Sequence, residues 1–119
     1  MPRAILDESK LHPAIREQVA GHQQWIVKEV QTALAKHRIV VVGMATNPMC
    51  ARARKALDQA QLPHHYLEYG SYLSQWRERN ALKMWTGWPT FPMVFVEGVL
   101  VGGYTDVRKL IASNALHAS

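Results

Sequence analysis

The sequence has 119 residues, of which 48% are hydrophobic and 19% are charged. This balance is typical of one folded domain with a modest core, and it excludes a disordered chain. The formal net charge of +5 excludes an acidic protein, and the longest apolar run, at residues 39–42 and their neighbours, is far too short for a membrane span.

The N-terminal third of the chain is predicted to be helical. From Pro13, which suits the first turn of a helix, apolar residues recur at roughly helical spacing as far as Leu34. Gly21 is expected to divide this stretch into two helices. The β-branched run RIVVVGM at residues 38–44 then predicts a buried strand.

A helix, a strand and a second helix are predicted next. Pro48 suits a first helical turn, and Ala53, Leu57 and Ala60 lie on one apolar face of that helix. The alternating segment HHYLEY, residues 64–69, predicts a strand that ends at Gly70. Residues 71–85 predict a polar helix whose apolar positions are Leu73, Trp76, Ala81, Leu82 and Trp85.

The C-terminal part predicts a hairpin and a last helix. The segment MVFVEGVLVGG, residues 93–103, contains two short strands around Glu97-Gly98. The following TDVRKLIASNAL opens with Thr105 or Asp106 as a helix cap. The element order α-α-β-α-β-α-β-β-α predicts one α/β domain with a mixed sheet.

Cysteine usage and charge clusters limit the compartment and the partners. Cys50 is the single cysteine, which excludes an internal disulfide and fits a reducing compartment. No secretory signal is read at the N-terminus. We therefore expect the protein in the cytoplasm. The basic clusters lie on separate predicted helices without a nucleic-acid motif, which favours a small anionic ligand over nucleic acid. His64 and His65 would point to opposite faces of a strand, which is poor geometry for a metal.

The segment WPTFPMVFVEGVLVGGYTD, residues 88–106, carries the most specific signal. It resembles the second half of glutaredoxins, and Trp88-Pro89-Thr90 is the form seen in the monothiol branch of that family. The preceding RNALKMWTGWP and the earlier IVVVGMATNPMCARARKALDQAQL also resemble the family, in the same order and at the same separation. The resemblance covers residues 38–115, so we predict a glutaredoxin-like domain at 38–119 and a helical extension at 1–37.

This resemblance implies an α/β, thioredoxin-like fold with a four-stranded mixed sheet flanked by helices. It implies that Pro92 follows a cis bond and leaves the backbone of Phe91 free for glutathione, and that Tyr104 and Thr105 hold the γ-glutamyl end. Arg79 and Lys83 fall where the monothiol branch places cations for the glycine carboxylate. The alternatives are an ordinary edge-strand proline and a solvated helix face. The family's lysine after the first strand is Met44 here, which predicts weaker binding.

The motif NPMC, residues 47–50, is where the chain departs from the family. A gapless match places Asn47 at the nucleophilic cysteine and Cys50 at the second residue of the pair. The other register takes Cys50 as the nucleophile. It shifts the apolar face of the helix, because Gln59 would then occupy a core position. Asparagine can cap a helix but cannot attack a disulfide. Cys50 is expected to be either a weak thiol, helped by Arg52 and Arg54, or a buried structural residue.

Three functions stay open from the sequence. The first is a glutathione-linked thiol–disulfide redox enzyme that works weakly through Cys50. The second is an inactive module that binds glutathione, a glutathionylated protein or another protein partner. The third is an iron–sulfur carrier that uses Cys50, and Asn47 counts against it because the family's cluster ligand is the nucleophile. The helical extension is expected to cover a partner surface or to extend the core.

Overall fold

The computed structural model describes residues 3–118. A 3₁₀ turn at Glu8–Lys10 precedes two helices, α1 (Pro13–Gly21) and α2 (Gln24–Lys36). The remaining elements are β1 (Ile39–Gly43), α3 (Pro48–Gln59), β2 (His65–Glu68), α4 (Trp76–Thr86), β3 (Met93–Val96), β4 (Val99–Gly102) and α5 (Tyr104–Ala112). The predicted order of helices and strands, with the break near Gly21, is confirmed.

The four strands form one mixed sheet in the order β2-β1-β3-β4. Strands β1 and β2 are parallel, whereas β3 is antiparallel to both β1 and β4. The parallel pair is joined by α3, as a parallel connection requires a crossover element. This is the predicted thioredoxin-like fold.

Strand register brings several loops to one edge of the sheet. Val42 lies opposite Met93, Val94 lies opposite Gly102, and Gly43 lies opposite Glu68. The residues that follow β1, precede β3 and follow β4 therefore meet at the same edge. The N-terminus of α3 is at this edge as well, because only residues 44–47 separate it from β1.

Strand β1 is buried on both faces and divides the core in two. Val40 and Val42 pack in a cluster that contains Ile26 and Val30 of α2, whereas Ile39 and Val41 face the opposite cluster. This alternation follows from the two-residue period of a strand. The sequence RIVVVGM therefore reads as continuously apolar because both faces of β1 are covered.

The hairpin between β3 and β4 turns at Glu97-Gly98 as predicted. Glu97 has φ 51° and Gly98 has φ 80°, so both turn residues adopt the left-handed region. A two-residue turn with positive φ at both positions matches the twist of the flanking strands, and glycine accepts that conformation without strain.

The predicted helix at residues 71–85 is wrong at its start, because α4 begins at Trp76. Residues 71–74 form a turn in which the Ser74 amide donates to the Ser71 carbonyl and the Leu73 amide donates to the Ser71 hydroxyl. Leu73 and Trp76 are consequently not core positions; they are 95% and 57% exposed. The last helix also ends early, at Ala112.

Helix α2 is an integral part of the main core although it belongs to the predicted extension. Ile26 and Val30 are fully buried, and both lie in the cluster that also contains Val40 and Phe95. Helix α1 contributes no buried residue. The predicted boundary between residues 37 and 38 stays a prediction, but the second helix of the extension shares the core of the sheet.

Removing side-chain volume from α2 should therefore destabilise the whole domain. We expect Ile26→Ala to lower the free energy of unfolding by about 2–5 kcal/mol, the usual cost of a cavity in a core. Ile15→Ala on α1, where the isoleucine is 42% exposed, is the matched control and should cost less than about 1 kcal/mol. Urea unfolding followed by circular dichroism measures both, and equal losses would contradict the shared core.

Candidate functional site

The N-terminus of α3 is closed by the side chain of Asn47. Asn47 is the N-cap, with extended backbone, and Pro48 occupies the first helical turn. The Asn47 Oδ1 accepts hydrogen bonds from the amide of Met49 at 2.9 Å and from the amide of Cys50 at 3.3 Å. Asparagine is among the preferred N-cap residues for this reason, and proline has no amide hydrogen that needs a partner.

This cap removes the donors that would otherwise stabilise an anion at α3. A helix N-terminus favours a negative charge because its first amides lack partners within the helix. Here the amides of Met49 and Cys50 already donate to Asn47. The first turn of α3 therefore binds its own side chain in the place where an anion or thiolate would draw on those donors.

Cys50 is packed inside the protein. It is 1% exposed and belongs to the same core cluster as Val40 and Phe95. A Cβ atom placed on Gly43 would lie 2.9 Å from the Cys50 Sγ and 3.0 Å from the ring of Tyr66. The thiol therefore fills the space above a glycine of β1, and a larger residue at position 43 would displace it.

The surroundings of Cys50 disfavour its thiolate. Burial raises the pKa of the Cys50 thiol, a backbone hydrogen bond at Met44 offsets part of that rise, and the Glu68 carboxylate adds to it. The positive field expected from Arg52 and Arg54 does not outweigh burial, so the net shift of the pKa is upward. The Arg54 guanidinium instead stacks on the ring of Tyr66, 3.9 Å from its centroid.

The loop before β3 and the start of α5 lie against each other. The Phe91-Pro92 peptide bond is cis, and both residues are buried. A Cβ atom on Gly103 would lie 3.4 Å from the carbonyl oxygen of Pro92. The Lys83 Nζ lies 5.8 Å from the centroid of the Phe91 ring. The structure therefore brings five of the predicted site positions to one place: Lys83, Phe91 and Pro92, and the two residues after Gly103, Tyr104 and Thr105.

The first turn of α5 lies next to the loop before β3. Gly103 is the N-cap, Tyr104 is half-buried and Thr105 is exposed. The Gly103 amide donates to the Asp106 Oδ2 at 3.0 Å, which is one half of a capping box. The prediction that Thr105 or Asp106 caps this helix is wrong, because the N-cap is Gly103 and Asp106 is the third helical residue. An acidic residue three positions after the N-cap is the sequence signal for this arrangement.

Trp88 is a further residue beside the loop. Its Nε1 is buried and has no hydrogen-bond partner among residues 3–118. The same atom would lie 3.9 Å from a Cβ on Gly103. The Trp88 ring packs against the core cluster that contains Val40 and Phe95.

The two predicted cations differ in what they contact. Arg79 is 7% exposed, and its Nη1 donates to the carbonyl of Tyr69 at 2.9 Å and to that of Ser74. Arg79 therefore holds the turn before α4. Lys83 is half-buried beside Phe91. Met44, which stands where the family has a lysine, is buried at 6% exposure and supplies no charge.

Metal and membrane features are limited within the described residues. Over residues 3–118, no cluster of three or more His, Cys, Asp or Glu side chains is arranged to hold a metal ion. His65 stacks on His37 with ring centroids 4.2 Å apart, and the His64 Nδ1 lies 3.8 Å from the Asp58 Oδ1. No helix in this part of the chain is both long enough and apolar enough to span a bilayer.

Comparison with known proteins agrees with this architecture. The Glutaredoxin family model matches residues 39–101. A glutaredoxin-like protein of Dictyostelium discoideum is 44% identical over 76% of this chain and 74% of its own length. A probable monothiol glutaredoxin 2 of Rickettsia typhi is 30% identical over 76% of this chain and 83% of its own length.

A solved glutaredoxin structure has a similar fold. The crystal structure of oxidized glutaredoxin 2 from Chlamydomonas reinhardtii superposes with a TM-score of 0.68, covers 79% of this chain and 89% of its own, and is 25% identical. From its sequence, its family model and its fold, the chain belongs to the glutaredoxin family.

Proposed function

We propose that this glutaredoxin-family protein binds glutathione, or the glutathionyl group of a modified protein, without exchanging disulfides. Glutaredoxins are a glutathione-dependent redox family. One observation carries the proposal: the side chain of Asn47 caps α3 where the gapless match places the nucleophile, while Cys50 is 1% exposed. The geometry favours the inactive binding module over the weak thiol enzyme that the sequence also allowed.

The proposed binding groups lie around the cis-proline loop. The backbone of Phe91 would pair with the glutathione cysteine, and the first amides of α5, at Tyr104 and Thr105, would hold the γ-glutamyl carboxylate. A helix N-terminus offers unpaired amides and a favourable dipole for such a group. Lys83, beside Phe91, would attract the glycine carboxylate.

The same geometry supports weak binding. Arg79 has one guanidinium nitrogen engaged by two backbone carbonyls, and Met44 brings no charge to the site. Lys83 is then the main side-chain cation for the ligand's carboxylates. An exposed or half-exposed ion pair contributes little to binding in water, about 0–1 kcal/mol. We therefore expect a dissociation constant for glutathione in the millimolar range.

The residues present do not fit a shared iron–sulfur cluster. A cluster ligand must be a thiolate that reaches the surface between the two protomers that share the cluster. The single thiol of the chain lies against Gly43 and Tyr66 inside the core, and burial raises its pKa. Asn47, at the exposed end of α3, has no sulfur.

The cytoplasm is the proposed compartment. The chain has one cysteine and so depends on no disulfide of its own. Glutathione is the main soluble thiol of reducing compartments, where such a chain keeps its cysteine reduced. Membership of a glutathione-dependent family supports the same placement.

Amide chemical shifts during a titration with reduced glutathione test binding. We expect shifts at Phe91, Tyr104 and Thr105, with half-saturation in the millimolar range. Lys83→Gln should weaken the affinity severalfold because it removes the nearby cation, whereas Lys109→Gln, on an exposed lysine of α5, should leave it unchanged. An unchanged spectrum at a glutathione concentration 20-fold above a dissociation constant of about 1 mM would contradict glutathione binding.

Restoring a thiol at position 47 should restore chemistry. In Asn47→Cys, the introduced thiolate would attack the disulfide of a glutathionylated substrate, take over the glutathionyl group and release the substrate thiol. A molecule of reduced glutathione would then attack this mixed disulfide, which regenerates the enzyme thiol and releases glutathione disulfide. We expect glutathione-dependent reductase activity at least tenfold above wild type, measured by coupled oxidation of NADPH.

Asn47→Ser is the matched control, since serine also caps a helix but has no thiol. It should keep wild-type stability and gain no activity. Asn47→Cys should lose about 0.5–2 kcal/mol of stability with the cap. A wild-type protein that is already active, with Cys50 essential and Asn47→Cys inert, would place the nucleophile at Cys50 instead.

Alkylation tests whether Cys50 is accessible. Because Cys50 is buried and its pKa is raised, we expect iodoacetamide at neutral pH to label the folded protein more slowly than free cysteine and to label the denatured protein normally. Met49→Cys in a Cys50→Ala background places a thiol one residue away on a side chain that is 40% exposed. That control should react quickly, and equal rates for the two proteins would show that Cys50 opens to solvent.

A further inference from the structure

A groove runs along α4, between this helix and the helices before residue 38. One cavity of ≈ 660 Å³ lies between α4, α2 and the end of α1, and a second of ≈ 530 Å³ continues toward Trp76. His22 and Met84 line both cavities, so the two form one groove. We call it the α4 groove. Its far wall comes from the helices before residue 38, which the family model does not cover.

The floor of the α4 groove is apolar. Val27 and Trp85 are half-buried there and pack against the core cluster, while Ala81 is 4% exposed. Val19 and Met84 rise from the walls and are 52% and 63% exposed. Trp76, at the other end, is 57% exposed. Contiguous exposed apolar side chains of this kind mark interaction sites on folded domains.

The charges around the α4 groove have one sign. The charged side chains that line it are Arg77 and Lys83, and no aspartate or glutamate among residues 3–118 lines either cavity. The nearest carboxylates along the chain, Glu17 and Glu78, are outside the lining. The other polar lining groups are His22 and neutral amides of glutamine and asparagine. This distribution is complementary to a partner that is apolar on one face and acidic at its edges.

From this shape and charge, we propose that the α4 groove binds an acidic amphipathic helix of a partner protein. The groove runs between helices from Trp85 to Trp76, a rise of nine residues or about 14 Å along α4. A helix of two to three turns lays an apolar stripe over that length, and its acidic flanks face Arg77 and Lys83. The proposal does not rest on glutathione binding.

One cation connects the groove with the glutathione site. Lys83 lines the α4 groove, and its Nζ lies 5.8 Å from the Phe91 ring. A bound acidic helix that contacts Lys83 would therefore pass close to Phe91, in the loop before β3. The helical extension thus builds a second binding surface whose edge is shared with the first.

A pair of synthetic peptides tests the proposal on the full-length protein. The first, of about 14 residues, carries leucine at helical spacing on one face and glutamate on the other; the second has lysine in place of each glutamate. We expect the acidic peptide to bind with a dissociation constant of about 0.1 mM or tighter, measured by amide shifts at α4 and the α1–α2 junction. The lysine peptide should bind at least tenfold more weakly.

Two variants with matched controls locate the binding surface. Met84→Glu should lower the affinity for the acidic peptide at least tenfold. Val99→Glu, on a β4 side chain that is also 63% exposed, should leave the affinity unchanged. Arg77→Glu should weaken it severalfold, and Lys55→Glu on α3 gives the same change in charge without loss of affinity. Circular dichroism confirms that each variant is folded, and Lys83 is left intact so that glutathione binding provides an independent readout.

Several results would overturn the proposal. Absence of binding by the acidic peptide, equal binding of both peptides, or equal effects of Met84→Glu and Val99→Glu would each do so. Sedimentation of the chain alone tests a second copy as occupant: a dimer that Met84→Glu dissociates would assign the groove to self-association. Binding to anionic lipid vesicles that Arg77→Glu abolishes, without peptide binding, would assign it to a membrane surface.

Discussion

The hydrogen bonds from the amides of Met49 and Cys50 to the Asn47 side chain set the chemistry of this protein. In a helix that carries a reactive thiol at its N-terminus, those amides stabilise the thiolate. Here they are engaged within the first turn, and the cap stabilises the helix without help from a ligand. The same turn directs Cys50 into the core, where its sulfur lies against Gly43. The cap engages the amides of the first turn, and burial keeps the Cys50 thiol from solvent; both observations support the proposal that the site lacks a working nucleophile.

The sheet positions the ligand-binding groups independently of that turn. The pairing of β3 with β1 and with β4 places Pro92 and Gly103 beside each other. This pairing does not involve the residue at position 47. Under the proposed function, the chain lacks the nucleophile and keeps the backbone groups that would recognise glutathione. The weak binding that we propose has its basis in the side chains, since Arg79 holds a turn and Met44 is buried.

The helical extension gives the family fold a second surface. Helix α2 covers one face of the sheet through Ile26 and Val30, so it cannot be removed without exposing the core. Helix α1 and the α1–α2 junction form the far wall of the α4 groove. Both expectations for the extension therefore have a physical basis: α2 extends the core, and the groove beside α1 is the proposed partner surface.

Sequence patterns predicted those parts of the fold that local chemistry determines. Continuous β-branched residues in β1, the Glu97-Gly98 turn and the proline at the start of α3 each act within a few residues, and each was confirmed. The start of α4 was wrong because serine side chains stabilise a turn at residues 71–74. The environment of Arg79 could not be predicted, because its acceptors are backbone carbonyls of that turn and of Tyr69. The burial of Cys50 depends on tertiary packing against β1, so the sequence left it open.

We propose that the folded chain recognises glutathione but has no thiol that reacts at its site. The direct test is intact-mass spectrometry of the folded wild-type protein after incubation with glutathione disulfide at about ten times the expected millimolar dissociation constant. We expect an unmodified mass under native conditions and a single glutathione adduct once the chain is denatured. A stoichiometric adduct on the folded protein, absent in Cys50→Ala, would contradict it and would make Cys50 the working thiol.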